Sequence, residues 1–143
     1  MAGGDASAAR RPGAGVVAIG IDHVRLSYHY LDCADLDGYA SLFDDDAILY
    51  RPHGGHIRGG REVGEFRSRQ LRAWGARHAL VDVLAVESQV VAIGRLVRDR
   101  PGADAGDIEL ADVFTISPEG LLLTQKTYFF VDLDGWELPG WHG

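Results

Sequence analysis

Apolar residues in the first half of the chain recur at helical spacing. Between residues 16 and 33 the steps are four, three, four and three, which predicts an amphipathic helix. Asp35 is a favourable N-cap residue for a short second helix within DLDGYASLF. A third helix is predicted from Arg61 to Trp74 because apolar residues again fall on one side. The DDD run between the second and third helices is expected to be a solvated turn.

Polar and apolar residues alternate in the second half, which predicts strands. A short strand in AILYRP and a small one at 56–58 precede four longer strands, at about 77–87, 89–99, 107–117 and 121–131. The joints ESQ, RPGADAG and SPEG have hairpin lengths and turn residues. Helices followed by an antiparallel meander predict an α+β domain over residues 16–131, with the helices on one face of a curved sheet. We expect a disordered N-terminal tail over 1–15 and a C-terminal tail or pocket flap, with Trp136 and Trp141, over 132–143.

An acidic residue interrupts the more apolar face of one predicted strand. In DIELADVFTIS, Asp112 shares a face with Leu110, Phe114 and Ile116. A buried carboxylate is costly, so it must be either neutral or paired. Asp112 is therefore either a functional acid or a structural partner of a tyrosine or arginine. On the strand that starts near His78, the same alternation would turn Asp82 inward.

Charge and composition exclude several classes of function. A net charge of −7 opposes binding to nucleic acid or to an anionic membrane. No apolar run approaches the roughly 18 residues that span a bilayer. The apolar patch near the N-terminus is too short for an export signal, so a cytoplasmic protein is expected. The single cysteine, Cys33, excludes an intramolecular disulfide and is expected to be a small buried residue.

Three motifs in this order resemble the nuclear transport factor 2-like superfamily, and within it the SnoaL-like polyketide cyclases and ketosteroid isomerases. They are YHYLDCADLDGYASLFDDDAILYRP, IRGGREVGEFR and ADVFTISPEG. The resemblance implies a cone: a curved antiparallel sheet with three N-terminal helices on its concave face, enclosing a deep pocket. The superfamily contains isomerases, dehydratases, cyclases, epoxide hydrolases and non-catalytic binders, so the fold alone does not select a reaction.

Three positions gain catalytic roles from this resemblance. Asp112 aligns with the isomerase aspartate that stays protonated and donates to the enolate oxygen. His78 stands where related dehydratases often carry a histidine, which implies a general base. Arg51 replaces the isomerase base and, counted the same way, Ser27 replaces its tyrosine donor. An arginine does not accept a proton at physiological pH, so the chain departs from a steroid isomerase. Arg51 would instead either form a structural salt bridge with Asp112 or stabilise an anion, as a substrate carboxylate or enolate.

The sequence therefore favours a small-molecule enzyme that acts without a metal or organic cofactor. Its partner would be an apolar oxygenated natural-product intermediate, and cyclisation, dehydration and isomerisation fit equally well. His53 and His56 are expected to be solvated loop residues rather than metal ligands. The alternative is a non-catalytic ligand-binding or dimerisation module, with a homodimer formed through the outer sheet face. The residues expected to line the pocket are Tyr28, Tyr50, Asp82, Arg95, Gln125, Thr127 and Phe129.

Overall fold

Three helices form where the apolar spacing predicts them. The computed structural model describes residues 12–51, 54–98 and 107–130. Helix α1 spans Ala14–Asp32, α2 spans Leu36–Ser41 and α3 spans Gly60–Trp74. Asp35 caps α2 as expected, because its carboxylate accepts a hydrogen bond from the backbone N–H of Gly38 at 2.9 Å. Helix α3 ends at Gly75, whose φ of 60° lies in the left-handed region that favours glycine.

Six strands form one sheet in the order β2-β1-β6-β5-β4-β3. The strands are β1 Phe43–Tyr50, β2 His56–Arg58, β3 Ala76–Val86, β4 Gln89–Arg98, β5 Ile108–Ile116 and β6 Leu122–Phe130. Strands β3 to β6 are the predicted antiparallel meander, whereas β1 pairs with β6 in parallel. The α+β class is confirmed, and the sheet is mixed rather than wholly antiparallel.

The DDD run lies in β1 rather than in a turn, which corrects the sequence prediction. Pairing between β1 and β6 is irregular between Phe43 and Ile48. The irregularity allows Asp45 and Asp46 to be exposed while Phe43 and Ala47, on either side of the run, are buried. The acids therefore remain solvated although they belong to a strand.

The inward face of β3 also differs from the prediction, because a β-bulge interrupts its alternation. Leu80 pairs with Gly94 and Asp82 pairs with Ile93, so residue 81 is an extra residue on β3. Beyond the bulge Val83 is buried, while Asp82 is exposed and accepts a hydrogen bond from the backbone N–H of Val83 at 2.9 Å. The expectation that Asp82 lines the interior is therefore wrong.

The core lies between the helices and the inward face of the sheet. Helix α1 contributes Val24, Tyr28 and Leu31 to it, and the middle strands contribute Val90, Leu110 and Phe114. None of the helices in the described ranges is long and apolar enough to cross a membrane. Most of the predicted N-terminal tail (residues 1–11) and the predicted C-terminal flap lie outside the described residues.

Candidate functional site

A hydrogen-bonded network surrounds Asp112 in the core. Asp112 has no solvent exposure. The Tyr28 hydroxyl donates to its Oδ2 and the Thr127 hydroxyl donates to its Oδ1. Nη1 of the buried Arg67 donates to Oγ1 of Thr127 at 3.1 Å. Both carboxylate oxygens therefore accept a hydrogen bond, and a cation lies one residue further along the network.

Three elements bring these side chains to Asp112. Thr127 is its cross-strand neighbour in the β5–β6 register. Tyr28 follows Val24 by one turn on the buried face of α1. Arg67 lies one turn after Val63, in the middle of the buried face of α3. Arg67 is itself buried, and its guanidinium group meets the hydroxyl of Thr127.

Burial and charge keep the tyrosines of this region neutral. Burial, followed by the nearby Asp112 carboxylate, raises the pKa of Tyr28 well above its usual value near 10. Burial also raises the pKa of Tyr39, and there Arg67 opposes the shift. The Tyr28 hydroxyl is therefore a fixed hydrogen-bond donor at physiological pH.

His78 and Asp32 form a second polar pair beside this network. Nδ1 of His78 lies 3.0 Å from Oδ1 of Asp32, and the backbone N–H of His78 donates to the same carboxylate at 3.2–3.3 Å. Because an ionised carboxylate only accepts hydrogen bonds, Nδ1 carries a proton, and in the neutral imidazole Nε2 then carries the lone pair. Nε2 is buried and has no hydrogen-bond partner among the described residues. The pair thus presents an available basic nitrogen to the interior.

Tyr28 connects the two groups. Its ring centroid lies 4.8 Å from that of His78, and its hydroxyl donates to Asp112. Phe114 meets the same ring edge-on, with centroids 6.4 Å apart. A base, a phenol and a carboxylate therefore lie together in the apolar interior.

Three other residues that the sequence predicted for the site lie on or next to strands β1 and β6. Gln125 is buried on the inward face of β6, and its Oε1 has no hydrogen-bond partner among the described residues. Phe129 also lies on β6 and packs against Trp74 with ring centroids 6.3 Å apart. Arg51 lies 5.7 Å over the ring of Phe66 and borders Thr127 in a hollow at the end of β1.

Two predicted residues lie on the outer side of the sheet. Arg95 is exposed on the outer face of β4, 3.7 Å from Asp107. Tyr50 is 40% exposed on β1, next to Lys126. Their assignment to the interior pocket is corrected, because strand alternation turns both side chains outward.

Sequence reasoning did not identify Arg67 or Asp32. Arg67 occupies the side of α3 that the apolar spacing predicts to be buried, and a cation at such a position was a usable signal. Asp32 gives no local signal, since its partner His78 is 46 residues away. The expected absence of a tyrosine donor is also corrected. Ser27 donates to the backbone of Val24, and Tyr28, one residue on, reaches Asp112.

Several hollows lie among the described residues. One of about 360 Å³ includes Asp32 and lies between the end of α1 and α3, and one of about 220 Å³ includes Arg51 and Thr127. A third, of about 590 Å³, lies along β4 to β6 and includes Arg95, Tyr128 and Phe130. Within the ranges that the structure describes, no group of three metal-binding side chains is found. His53, one of the expected loop histidines, lies outside those ranges, and His56 is exposed on β2.

Comparison with known proteins identifies the fold independently. The model of the SnoaL-like domain matches residues 24–123. No curated protein matches the chain. Among solved structures, Bal32a from a soil-derived mobile gene cassette is similar at a TM-score of 0.71 and 22% identity, covering 88% of this chain and 98% of that one.

Two further structures with the same fold carry activities in their names. A candidate polyketide cyclase from Sinorhizobium meliloti has a TM-score of 0.62 and 17% identity, over 75% of this chain and 94% of its own. An epoxide hydrolase of LEH-like type from M. tuberculosis has a TM-score of 0.62 and 20% identity, over 82% and 86%. At these identities the similarity shows the fold alone.

Proposed function

Since the chain belongs to the SnoaL-like domain family, we propose that it is a small-molecule enzyme that performs acid–base chemistry without a cofactor. The observation that carries this proposal is the buried Nε2 of His78, which has no hydrogen-bond partner in the described part of the chain. An unpartnered basic nitrogen costs stability, and such costs are concentrated at functional sites. The expected substrate is an apolar oxygenated molecule, because apolar residues dominate the surroundings.

The proposed step is removal of a proton from a carbon next to a carbonyl group. Nε2 of His78 accepts the proton, and Asp32 on Nδ1 stabilises the resulting imidazolium ion. Tyr28 packs its ring against that of His78 and donates its single O–H proton to Asp112, so it would orient the base rather than donate to the enolate oxygen. Asp112 and Thr127 position that phenol, and Arg67 offsets the charge of Asp112. In this proposal Asp112 does not itself transfer the proton, because hydroxyl groups occupy both of its oxygens.

Cyclisation, dehydration and double-bond isomerisation all contain this step, and the name of the S. meliloti structure fits the first of them. Because Nε2 is buried, the reaction includes opening of the core around His78 to admit the ligand.

Deuterium exchange tests the step without requiring the true substrate. We expect the protein in D2O to accelerate exchange at the carbons next to the carbonyl of 2-tetralone, an apolar cyclic ketone, as followed by proton NMR. His78→Gln should lower the rate by about 100-fold or more, which is the usual contribution of a general base. Asp32→Asn should lower it by about 10-fold, because the base is then poorly oriented. His29→Gln, a change at an exposed histidine of α1, is the matched control. An unchanged rate in His78→Gln contradicts the proposal.

The outer sheet face favours a second candidate function, that of a homodimeric assembly module. Tyr128 is 57% exposed and Phe130 is 83% exposed on β6, and Ile93 is 41% exposed on β4. Such a contiguous apolar surface is typical of an interface. We expect a dimer mass in light scattering and a monomer mass for Tyr128→Glu. Leu26→Glu, on the exposed side of α1, should leave the dimer intact. A wild-type monomer would exclude this candidate.

A further inference from the structure

Strand β6 carries an amide group into the apolar interior without a partner for its oxygen. Gln125 is 2% exposed, and its Oε1 has no hydrogen-bond partner among the described residues. Its cross-strand neighbours, Phe114 on β5 and Leu49 on β1, are apolar and fully buried. A buried acceptor that loses its hydrogen bond to water without gaining another lowers the stability of the fold. Most buried polar groups avoid this cost, so the position of Gln125 needs a reason other than stability.

The polar side chains beside Gln125 are satisfied by one another. Asp112 and Thr127 share a hydrogen bond, and each has a further partner on a helix. Gln125 lies two residues before Thr127 on the inward face of β6, but its Oε1 stays outside this network. Within the described ranges, the two buried side-chain acceptors without a partner are Oε1 of Gln125 and Nε2 of neutral His78. Gln125 therefore shares with the proposed base the property that marks a functional group.

Aromatic rings connect Gln125 with the proposed base. The ring of Phe114, the neighbour of Gln125 in the sheet, meets the ring of Tyr28 edge-on with centroids 6.4 Å apart. The Tyr28 ring in turn lies 4.8 Å from the ring of His78. The base, two aromatic rings and the amide are therefore consecutive neighbours in the interior.

We propose that Gln125 binds a hydroxyl group on the ring system of an aromatic or similarly flat ligand. Oε1 accepts hydrogen bonds, so its partner on the ligand is a donor, and a neutral hydroxyl costs less to bury than an ammonium group. The ring of the ligand packs against Phe114, because cross-strand neighbours stand about 5 Å apart and one phenol group spans that distance. A ligand without the hydroxyl leaves Oε1 without a partner, so Gln125 is a specificity-determining residue.

This inference deepens the proposed function by placing a hydroxyl group on the substrate. It rests on that function only where the ligand is called a substrate, since binding of a hydroxylated ring to Gln125 requires no reaction.

A matched pair of probes tests the inference. 2-Naphthol and 2-methylnaphthalene have nearly the same shape, and only the naphthol donates a hydrogen bond. Equilibrium dialysis gives the dissociation constant of each probe, and comparing their ratio between proteins cancels the difference in hydrophobicity. We expect the preference for 2-naphthol to fall about tenfold in Gln125→Met, which keeps the length of the side chain and removes its amide. Gln89→Met, the same change at an exposed position of β4, should leave the preference unchanged.

The stability of Gln125→Met separates ligand binding from a purely structural role. Because Oε1 has no partner in the described part of the chain, an apolar side chain in its place should leave the urea midpoint unchanged or raise it. A midpoint that falls below that of Gln89→Met would identify an amide that the fold itself needs, and it would overturn the inference.

NMR of the wild-type protein reports the contact without any substitution. The chain has three glutamines, so ¹⁵N-glutamine labelling gives three side-chain amide groups, which are assigned through the backbone. The amide of Gln125 should shift more with 2-naphthol than with 2-methylnaphthalene. Equal shifts there, or the same probe preference in the wild type and Gln125→Met, would overturn the inference.

The two proposals fail separately. Ketone exchange that His78→Gln abolishes, without a probe preference that depends on Gln125, defeats only this inference. A preference that depends on Gln125, without ketone exchange, defeats only the proposed reaction.

Discussion

Replacing Tyr28 with phenylalanine removes one oxygen atom from the Asp112 network and leaves the ring in place. The contacts of that ring with His78 and Phe114 are retained. What is lost is the hydrogen bond to Oδ2 of a carboxylate that has no solvent exposure. Since water does not replace the missing donor, the variant measures the value of a single buried bond.

The expected cost follows from the charge of the acceptor. A hydrogen bond to a charged group contributes about 1.5–3 kcal/mol, whereas a bond between neutral groups contributes about 1 kcal/mol. We therefore expect Tyr28→Phe to lower the free energy of unfolding by about 2 kcal/mol. Thr127→Val should cost about 3 kcal/mol, because its hydroxyl serves both Asp112 and Arg67. The double variant should differ from additivity by more than about 0.5 kcal/mol, since both donors serve one carboxylate.

Urea denaturation followed by tryptophan fluorescence measures these differences. The urea concentration at the midpoint of unfolding should fall, while the slope of the free energy of unfolding against urea concentration stays constant. Tyr30→Phe is the matched control, because Tyr30 lies on the same helix and its hydroxyl makes no hydrogen bond within the described ranges. We expect it to change the free energy by less than about 0.5 kcal/mol. If Tyr28→Phe costs no more than Tyr30→Phe, the idea of a charged carboxylate held by hydroxyl groups is refuted.

Two further predictions concern stability. The pKa values of Tyr28 and Tyr39 are raised in the folded protein, so the unfolded chain loses these phenolic protons at lower pH than the folded protein does. The free energy of unfolding should therefore be constant below about pH 10 and should decrease above it, by about 1.4 kcal/mol per pH unit for each residue. Urea denaturation between pH 9 and 11 checks this, and a slope that survives replacement of both tyrosines by phenylalanine contradicts it. Gly94→Ala should cost about 2 kcal/mol, since its Cβ would lie 2.5 Å from the carbonyl oxygen of Ala79. Gly15→Ala, in an open stretch of α1, should instead stabilise by about 0.5–1 kcal/mol, and similar effects of both changes would exclude the steric explanation.

The spacing of apolar residues predicted most of the helices and strands, because each of these elements buries one face. Helices α1 and α3 and strands β3 to β6 lie within about two residues of their predicted bounds. The parallel pairing of β1 with β6 has no counterpart in local patterns, since more than 70 residues separate the paired positions. The bulge in β3 was not predicted for another reason. Strict alternation of inward and outward side chains along a strand holds only when no extra residue is inserted.

The site was predictable only in part for the same reason. Alternation turns Asp112 inward, and the structure buries it fully. Its partners come from α1, α3 and β6, so only the folded chain shows that Tyr28, Arg67 and Thr127 meet there. Asp32 and His78 are likewise joined by tertiary packing alone. The sequence contains these residue types, whereas the folding of the chain decides which of them pair.

The bulge in β3 has a consequence for association in concentrated solution. Strand β3 is an edge strand of eleven residues, and Leu84 and Val86 are exposed on it. A long, regular, apolar edge is a template for adding a strand from another molecule, which leads to aggregation. The extra residue at position 81 breaks the regular spacing of hydrogen-bonding groups along this edge. Deleting it would keep Val83 and Ala85 inward while making the strand regular, so we expect the bulge to limit the addition of strands from other molecules at this edge.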